Sequence, residues 1–250
     1  MANKAALTID ALEVDFSGFK AVDGVTMIVE EGELHVLLGA NGAGKTTLMD
    51  LISGRTKSTA GRVFVGDTEI TNAEEHRIAR AGIGRKFQIP SVFRELSVRQ
   101  NLEVSSIRNP GVFANLGLSF SSDQRQRVRA ILDEMGLDDV ADEPAGSLSH
   151  GQTQWLELGM LLIQNPQILL LDEPTAGMTQ AETLKTSRII NGLKGRHTLI
   201  VVEHDMAFVR QIAERITVMH LGKVLAEGRI EEIETNPAVR EAYLGSGGIH

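Results

Sequence analysis

Nine residues, Gly39 to Thr47 (GANGAGKTT), lie between an apolar run, Glu33 to Leu38 (ELHVLL), and a stretch of helical spacing, Lys45 to Ser53. A buried strand running through a glycine-rich turn into a helix leaves few folds open, because such a turn belongs at the edge of a parallel sheet. Gly39, Gly44, Lys45 and Thr46 take the fixed places of the pattern G-x-x-x-x-G-K-[ST], and Ala40, Asn41, Gly42, Ala43 and Thr47 complete the loop. Glycines let successive backbone N–H groups curl around phosphate oxygens at a helix N-terminus. Lys45 adds a mobile positive charge for the terminal phosphates, and the Thr46 hydroxyl suits a magnesium ion. The stretch implies a nucleoside-triphosphate site.

Composition removes several other classes. A chain of 250 residues, 42% of them hydrophobic, can bury a core as one domain or as a domain with a subdomain. It has no cysteine, which excludes disulfide frameworks, thiolate metal sites and cysteine nucleophiles. With 33 acidic against 25 basic residues the formal charge is −8, which argues against a broad nucleic-acid surface. No apolar run approaches the roughly 18 residues that cross a bilayer, and MANKAA at residues 1–6 leads into no signal-peptide core. The expected location is therefore the cytoplasm.

Along the chain, Leu7 to Val14, Val25 to Glu30 and Gly61 to Gly66 read as strands, followed by Ile83 to Phe87 and a polar turn at Pro90. Three helical stretches between Ser97 and Gln164 each open on Ser-x-x-Gln: Ser97/Gln100, Ser121/Gln124 and Ser149/Gln152. In such a capping box the two side chains satisfy helix N-terminal donors reciprocally. Gly136 ends the second of these helices, and Asn109 to Phe120, rich in Gly, Pro and Asn, reads as a loop. From Ile168 onward apolar strands alternate with helices, the pattern of a parallel sheet covered on both faces. The expected fold class is α/β: a mainly parallel core sheet, an antiparallel β region and a helical subdomain at 89–165 inserted in one 1–250 domain.

A phosphate loop alone leaves kinase, GTPase, recombinase and transporter ATPase open. Ile168 to Glu173 (ILLLDE) narrows the choice, because it ends an apolar strand in two carboxylates at the sheet edge where ligands sit. Asp172 suits a Mg2+ ion, and Glu173 is placed to orient and deprotonate an attacking water. The run Leu148-Ser-His-Gly-Gln152 opens a helix about twenty residues earlier.

The order of phosphate loop, lone Gln88, LSHGQ, ILLLDE and late His204 resembles the ATP-binding subunits of ABC transporters, from about Leu7 to Leu244. The resemblance implies ATP with Mg2+ and a head-to-tail pair of cassettes, either two copies of this chain or this chain and a homologous partner. Each ATP would touch the phosphate loop of one cassette and the signature helix of the other. Ser149, Gly151 and Gln152 would supply that second contact, and Ser149 as N-cap with unpaired N–H groups behind it makes an anion site. By the same resemblance Gln88 contacts Mg2+ or the water, His204 senses the γ-phosphate, and Phe16 stacks on adenine, with Phe19 a weaker candidate. The metal set would be Thr46, Gln88 and Asp172. The implied partners are two membrane permeases and, indirectly, an extracytoplasmic solute-binding protein, with the ATPase peripheral on the cytoplasmic face of the inner membrane.

Two positions depart from the family pattern. His150 stands where glycine is usual, and it is either a harmless exposed residue or one that tunes the grip on nucleotide. Thr179 replaces a frequent aspartate, and with Glu182 it makes a capping box, so the helix start survives. The combination GIGRKFQIPSVF, LSHGQTQWLELGMLL, DEPTAGMT and VVEHDMAFV resembles the urea and short-chain-amide branch of the branched-chain amino acid importer group. That reading makes urea or amides the expected cargo, with branched-chain amino acids as the alternative. A permease would dock near Gln88 to Asn101, where Val92 and Phe93 are either surface or insert core. A soluble nucleic-acid or ribosome ATPase of this family usually has tandem cassettes or a coiled-coil insert, and neither is present. A binding module without turnover would not need both Glu173 and His204.

Overall fold

A computed structural model of the chain describes residues 4–85, 92–107 and 121–244. Its contacts divide the chain into two compact units. The first comprises Met1–Arg85, Gln167–Pro174 and Ile190–His250, and the second Lys86–Pro166 and Thr175–Ile189.

Within the first unit, among the described residues, two sheets form. Strands β1 (Ala5–Phe16) and β2 (Phe19–Glu30) make a long antiparallel hairpin, joined on the β1 side by β4 (Ala60–Val65) and then β5 (Thr68–Glu69). Its two-residue turn, Ser17 and Gly18, has positive φ at both positions, 56° and 96°. That backbone matches strand twist in tight hairpins. The other sheet runs β10-β9-β3-β8-β7-β6, with ranges β3 Leu34–Leu38, β6 Ile83–Arg85, β7 Ile168–Asp172, β8 Thr198–Glu203, β9 Arg215–His220 and β10 Lys223–Gly228. Every pair in it is parallel except β10 with β9.

Strands β3, β7 and β8 are buried at every position, as expected of parallel strands with both faces covered. His35 sits inside β3 without exposure, a polar interruption of an apolar run. It is satisfied by Glu33 Oε1 at 3.0 Å on Nδ1 and by Thr217 Oγ1 at 2.7 Å on Nε2, since a buried ring left unpaired costs about 1–3 kcal/mol. Burial pushes the Glu33 carboxyl up, but hydrogen bonds from His35 and the Glu30 amide outweigh it and hold the group below the usual range.

Helix α1 (Lys45–Ser53) has the bounds read from the sequence, and Ile83–Phe87 is a strand as far as Arg85, beyond which it leaves the described residues. Helix α2 (Glu75–Arg80) lies before β6 and was not legible beforehand. Helices α7 (Met206–Ile212), α8 (Ile230–Thr235) and α9 (Pro237–Leu244) complete the unit.

The second unit is helical among its described residues: α3 (Val98–Ser105), α4 (Ser122–Met135), α5 (His150–Leu162) and the start of α6 (Gln180–Leu193). All three Ser-x-x-Gln starts form reciprocal capping boxes, at Ser97/Gln100, Ser121/Gln124 and Ser149/Gln152. Gly136 terminates α4 in the left-handed conformation. Trp155, the single tryptophan, is buried with its Nε1 donating to Thr186 Oγ1 at 2.9 Å, and the Lys185 ammonium lies 3.8 Å from its ring centroid. The expected loop Asn109 to Phe120 lies outside the described residues, as does Gln88.

Candidate nucleotide site

Strand β3 delivers the chain to the loop, and close backbone approaches explain two of its three glycines, Gly39 and Gly44. A β-carbon at Gly39 would lie 2.6 Å from the Met219 carbonyl oxygen. At Gly44 it would lie 2.4 Å from that of Ala21, and φ there is +102°. The β9–β10 turn braces the loop from outside, Gly222 donating to the Ala43 carbonyl at 3.0 Å. Gly44 is the N-cap of α1, with no side-chain hydrogen bond capping the helix. Lys45 is buried, and its ammonium donates to the carbonyls of Gly39 at 2.6 Å and Ala40 at 3.1 Å. Burial pushes its pKa below the usual range, against the pull of the Glu173, Asp172 and Glu203 carboxylates. Thr46 is exposed at the first turn.

The acidic pair stands at the end of β7. Asp172 is buried, and burial raises its carboxyl above the usual range, with Arg85 opposing and Glu173 adding to the rise. Its Oδ2 has no hydrogen-bond partner among the described residues. The guanidinium of Arg85 lies beside it, Nη2 at 3.9 Å. Arg85 was not singled out from the sequence. It is buried on β6, and its Nη1 donates to Asp50 Oδ1 and Ser53 Oγ, each at 2.6 Å, tying the end of α1 to β6. Buried ion pairs of this kind depend on tertiary adjacency, and the motif strings gave no signal for it.

Glu173 has φ of +46°, a left-handed backbone that costs about 1–3 kcal/mol in a residue with a side chain. Its amide donates to the Val202 carbonyl at 3.0 Å, and its Oε1 lies 3.3 Å from His204 Nδ1. The structure therefore brings Glu173 and His204 together, each just past the end of a neighbouring parallel strand. The first residue of that pair's segment, Glu203, is buried at the end of β8, and its side chain accepts from the His204 amide at 3.2 Å. Phe16 and Phe19 flank the β1–β2 turn and are 51% and 66% exposed, so neither is core.

An orphaned, buried carboxylate oxygen at Asp172 is what a hydrated divalent cation would satisfy, so the residues present fit Mg2+, which Asp172 and, as the resemblance implies, Thr46 would hold. Bound there, the ion would neutralise phosphate charge. Gln88, the remaining expected ligand, is among the undescribed residues.

In the second unit, Ser149 caps α5 as read, its Oγ accepting from the Gln152 amide at 3.2 Å. One expectation needs correcting: the N–H groups behind Ser149 are not all unpaired. The carboxylate of Glu182, from α6, accepts from Ser149 Oγ at 3.2 Å, and its Oε1 would lie 2.4 Å from a β-carbon at Gly151. Its other oxygen serves Thr179, accepting from the amide and from Oγ1, each at 2.9 Å, as the expected Thr179/Glu182 box requires. His150 is exposed, and its Nε2 lies 3.0 Å from the Ala176 carbonyl oxygen. Phe93 is 53% exposed, on the surface rather than in the core of this unit.

Residues 22–176 match the ABC transporter family, and residues 223–249 match the branched-chain amino acid ATP-binding cassette transporter family. The chain is similar to the high-affinity branched-chain amino acid transport ATP-binding protein BraF of Pseudomonas aeruginosa, 35% identical over 97% of this chain and 99% of the relative. The corresponding protein LivG of Escherichia coli is 36% identical over 96% of this chain and 97% of its own. Among solved structures, the ADP conformation of an ATP-binding cassette of an ABC transporter superposes with a TM-score of 0.86 at 31% identity, covering 96% of this chain and 99% of that one.

Proposed function

We propose a function from one premise: this chain belongs to the ATP-binding subunits of ABC transporters, in the branched-chain amino acid importer family, and is an ATP-hydrolysing transporter subunit. In the proposed reading it works as one of a pair of cassettes on the cytoplasmic face of the membrane, beneath two permease subunits fed by a solute-binding protein. The helical unit is an insertion within one ATPase domain, and its exposed Phe93 meets a permease.

The observation that carries the reading is the Glu173–His204 contact at 3.3 Å, beside a loop whose Lys45 feels the charge of Glu173 and of Asp172 and Glu203. ATP enters with its phosphates on the loop amides, and Lys45 exchanges two backbone carbonyls for phosphate oxygens. Phe16 offers its exposed ring to adenine. Glu173 takes the proton of the attacking water, and His204 steadies that carboxylate and reaches the γ-phosphate. Ser149, Gly151 and Gln152 complete the ATP site of the partner cassette. Nothing at an ATP site chooses the cargo, so in this reading the cargo follows from the assembly.

Branched-chain amino acids are the cargo that the relatives' names support. Urea or a short-chain amide is the second reading, carried by the residue combination at Gly82–Phe93, Leu148–Leu162, Asp172–Thr179 and Val201–Val209. Proteoliposomes holding the permeases, this ATPase and the binding protein should take up labelled leucine only with ATP inside. Uptake of urea and not leucine would move the cargo to the second reading. Uptake of either that persists without ATP would overturn the transport role.

A further inference from the structure

The Glu182 carboxylate rests against two of the three residues, Ser149 and Gly151, that the proposed function assigns to the ATP of a partner cassette. Its Oε1 accepts from the Ser149 hydroxyl at 3.2 Å and stands so near Gly151 that a β-carbon there would be 2.4 Å away. The Thr179 amide and hydroxyl, and after them the Ser149 hydroxyl and the Gly151 amide, hold this carboxylate below the usual range. The last two donors sit on the first turn of a 13-residue helix, whose dipole favours an anion at that end. A carboxylate and a phosphate cannot share them, since the two would overlap and repel. Oε2, meanwhile, is held by the Thr179 amide and hydroxyl at 2.9 Å each. Release of the α5 end by Oε1 therefore strands no charge, because Glu182 keeps its place in the capping box of its own helix.

We propose that Glu182 is a built-in competitor that holds Ser149 and Gly151 until the γ-phosphate of ATP on a second cassette displaces it. This makes Glu182 a specificity-determining residue, because a nucleotide without a γ-phosphate brings nothing to displace it. The inference rests on the two-cassette reading above. A competing anion lowers apparent affinity by the fraction of sites it occupies.

The test compares Glu173→Gln with the double variant Glu173→Gln/Glu182→Gln, both blocked in hydrolysis, by sedimentation velocity across ATP concentrations with Mg2+. A glutamine at 182 still caps Thr179 through its amide oxygen, and thermal melting checks that the variant folds. The ATP concentration giving half dimer should fall on the order of tenfold in the double variant, the effect of losing about one charged hydrogen bond, while ADP dimerises neither. An unchanged or higher midpoint in the double variant overturns the competitor role and leaves the two-cassette reading standing. Absence of any ATP-dependent dimer in the Glu173→Gln parent overturns that reading, and the competitor with it. Glu182→Ala in the same background should also lower the midpoint. A rise would mark Glu182 as a support for the helix instead, and would overturn the proposal.

Discussion

Two helix starts in this molecule face an anion in opposite ways. Helix α1 begins at Gly44, which offers no side chain, and no side-chain hydrogen bond caps it. Helix α5 begins at Ser149 with a complete capping box, and a carboxylate from α6 lies on top of it. The first start is left to a ligand, and the chain places a lysine inside it and two carboxylates near it. The second is finished by the chain itself and stands folded without a ligand. The difference suits the proposed reading, in which α1 would bind nucleotide in a single cassette and α5 would engage only when a second one arrives.

Lys45→Ala should cut deepest into the first half. Losing the charge that meets the phosphates should weaken ATP binding roughly 100-fold, by titration with a fluorescent ATP analogue, and binding within twofold of wild type would break the comparison. Gly44→Ala should destabilise by about 2 kcal/mol, because it combines a positive φ with a β-carbon against the Ala21 carbonyl. A melting temperature equal to wild type would show that α1 could accept a side chain at its start. Ser149→Ala should cost about 1 kcal/mol of stability, leave ATP binding by the single cassette within twofold, and abolish ATP-driven dimerisation. Equal dimerisation would remove α5 from the site. Thr179→Ala, which loosens the box at the start of α6 and frees one oxygen of Glu182, should cost about 0.5 kcal/mol, read from chemical denaturation. A loss several times larger would mean that Glu182 anchors the α5 start rather than competing for it.

What the sequence made legible was local. The phosphate loop and α1 are each a single continuous string, and the three Ser-x-x-Gln caps and the Thr179/Glu182 box join residues three apart, so each string states its own geometry. Strands β3, β7 and β8 were legible because parallel strands buried on both faces need largely apolar runs, a pattern that the single His35 in β3 does not hide. The contacts made across long separations were not. Arg85 meets Asp50 and Ser53 more than thirty residues away and Asp172 across β6 and β7, and no string contains that adjacency. Glu182 was read as the cap of its own helix, which it is, while its second contact lies 33 residues away. The direct Glu173–His204 contact was likewise hidden: their roles were read separately, and only the pairing of β7 with β8 brings them to one edge. Strand β10 and helix α8 were passed over because their short runs mix charged and apolar residues, and α9 was passed over as well.

The measurement closest to the centre of this account is phosphate release by wild type and Glu173→Gln at saturating ATP and Mg2+, with ATP binding followed in parallel. The account predicts that the variant binds ATP as well as wild type or better and turns it over at least about 100-fold more slowly, as the loss of a general base requires. Turnover at the wild-type rate by Glu173→Gln would contradict it, and the chemistry would then belong to some other carboxylate.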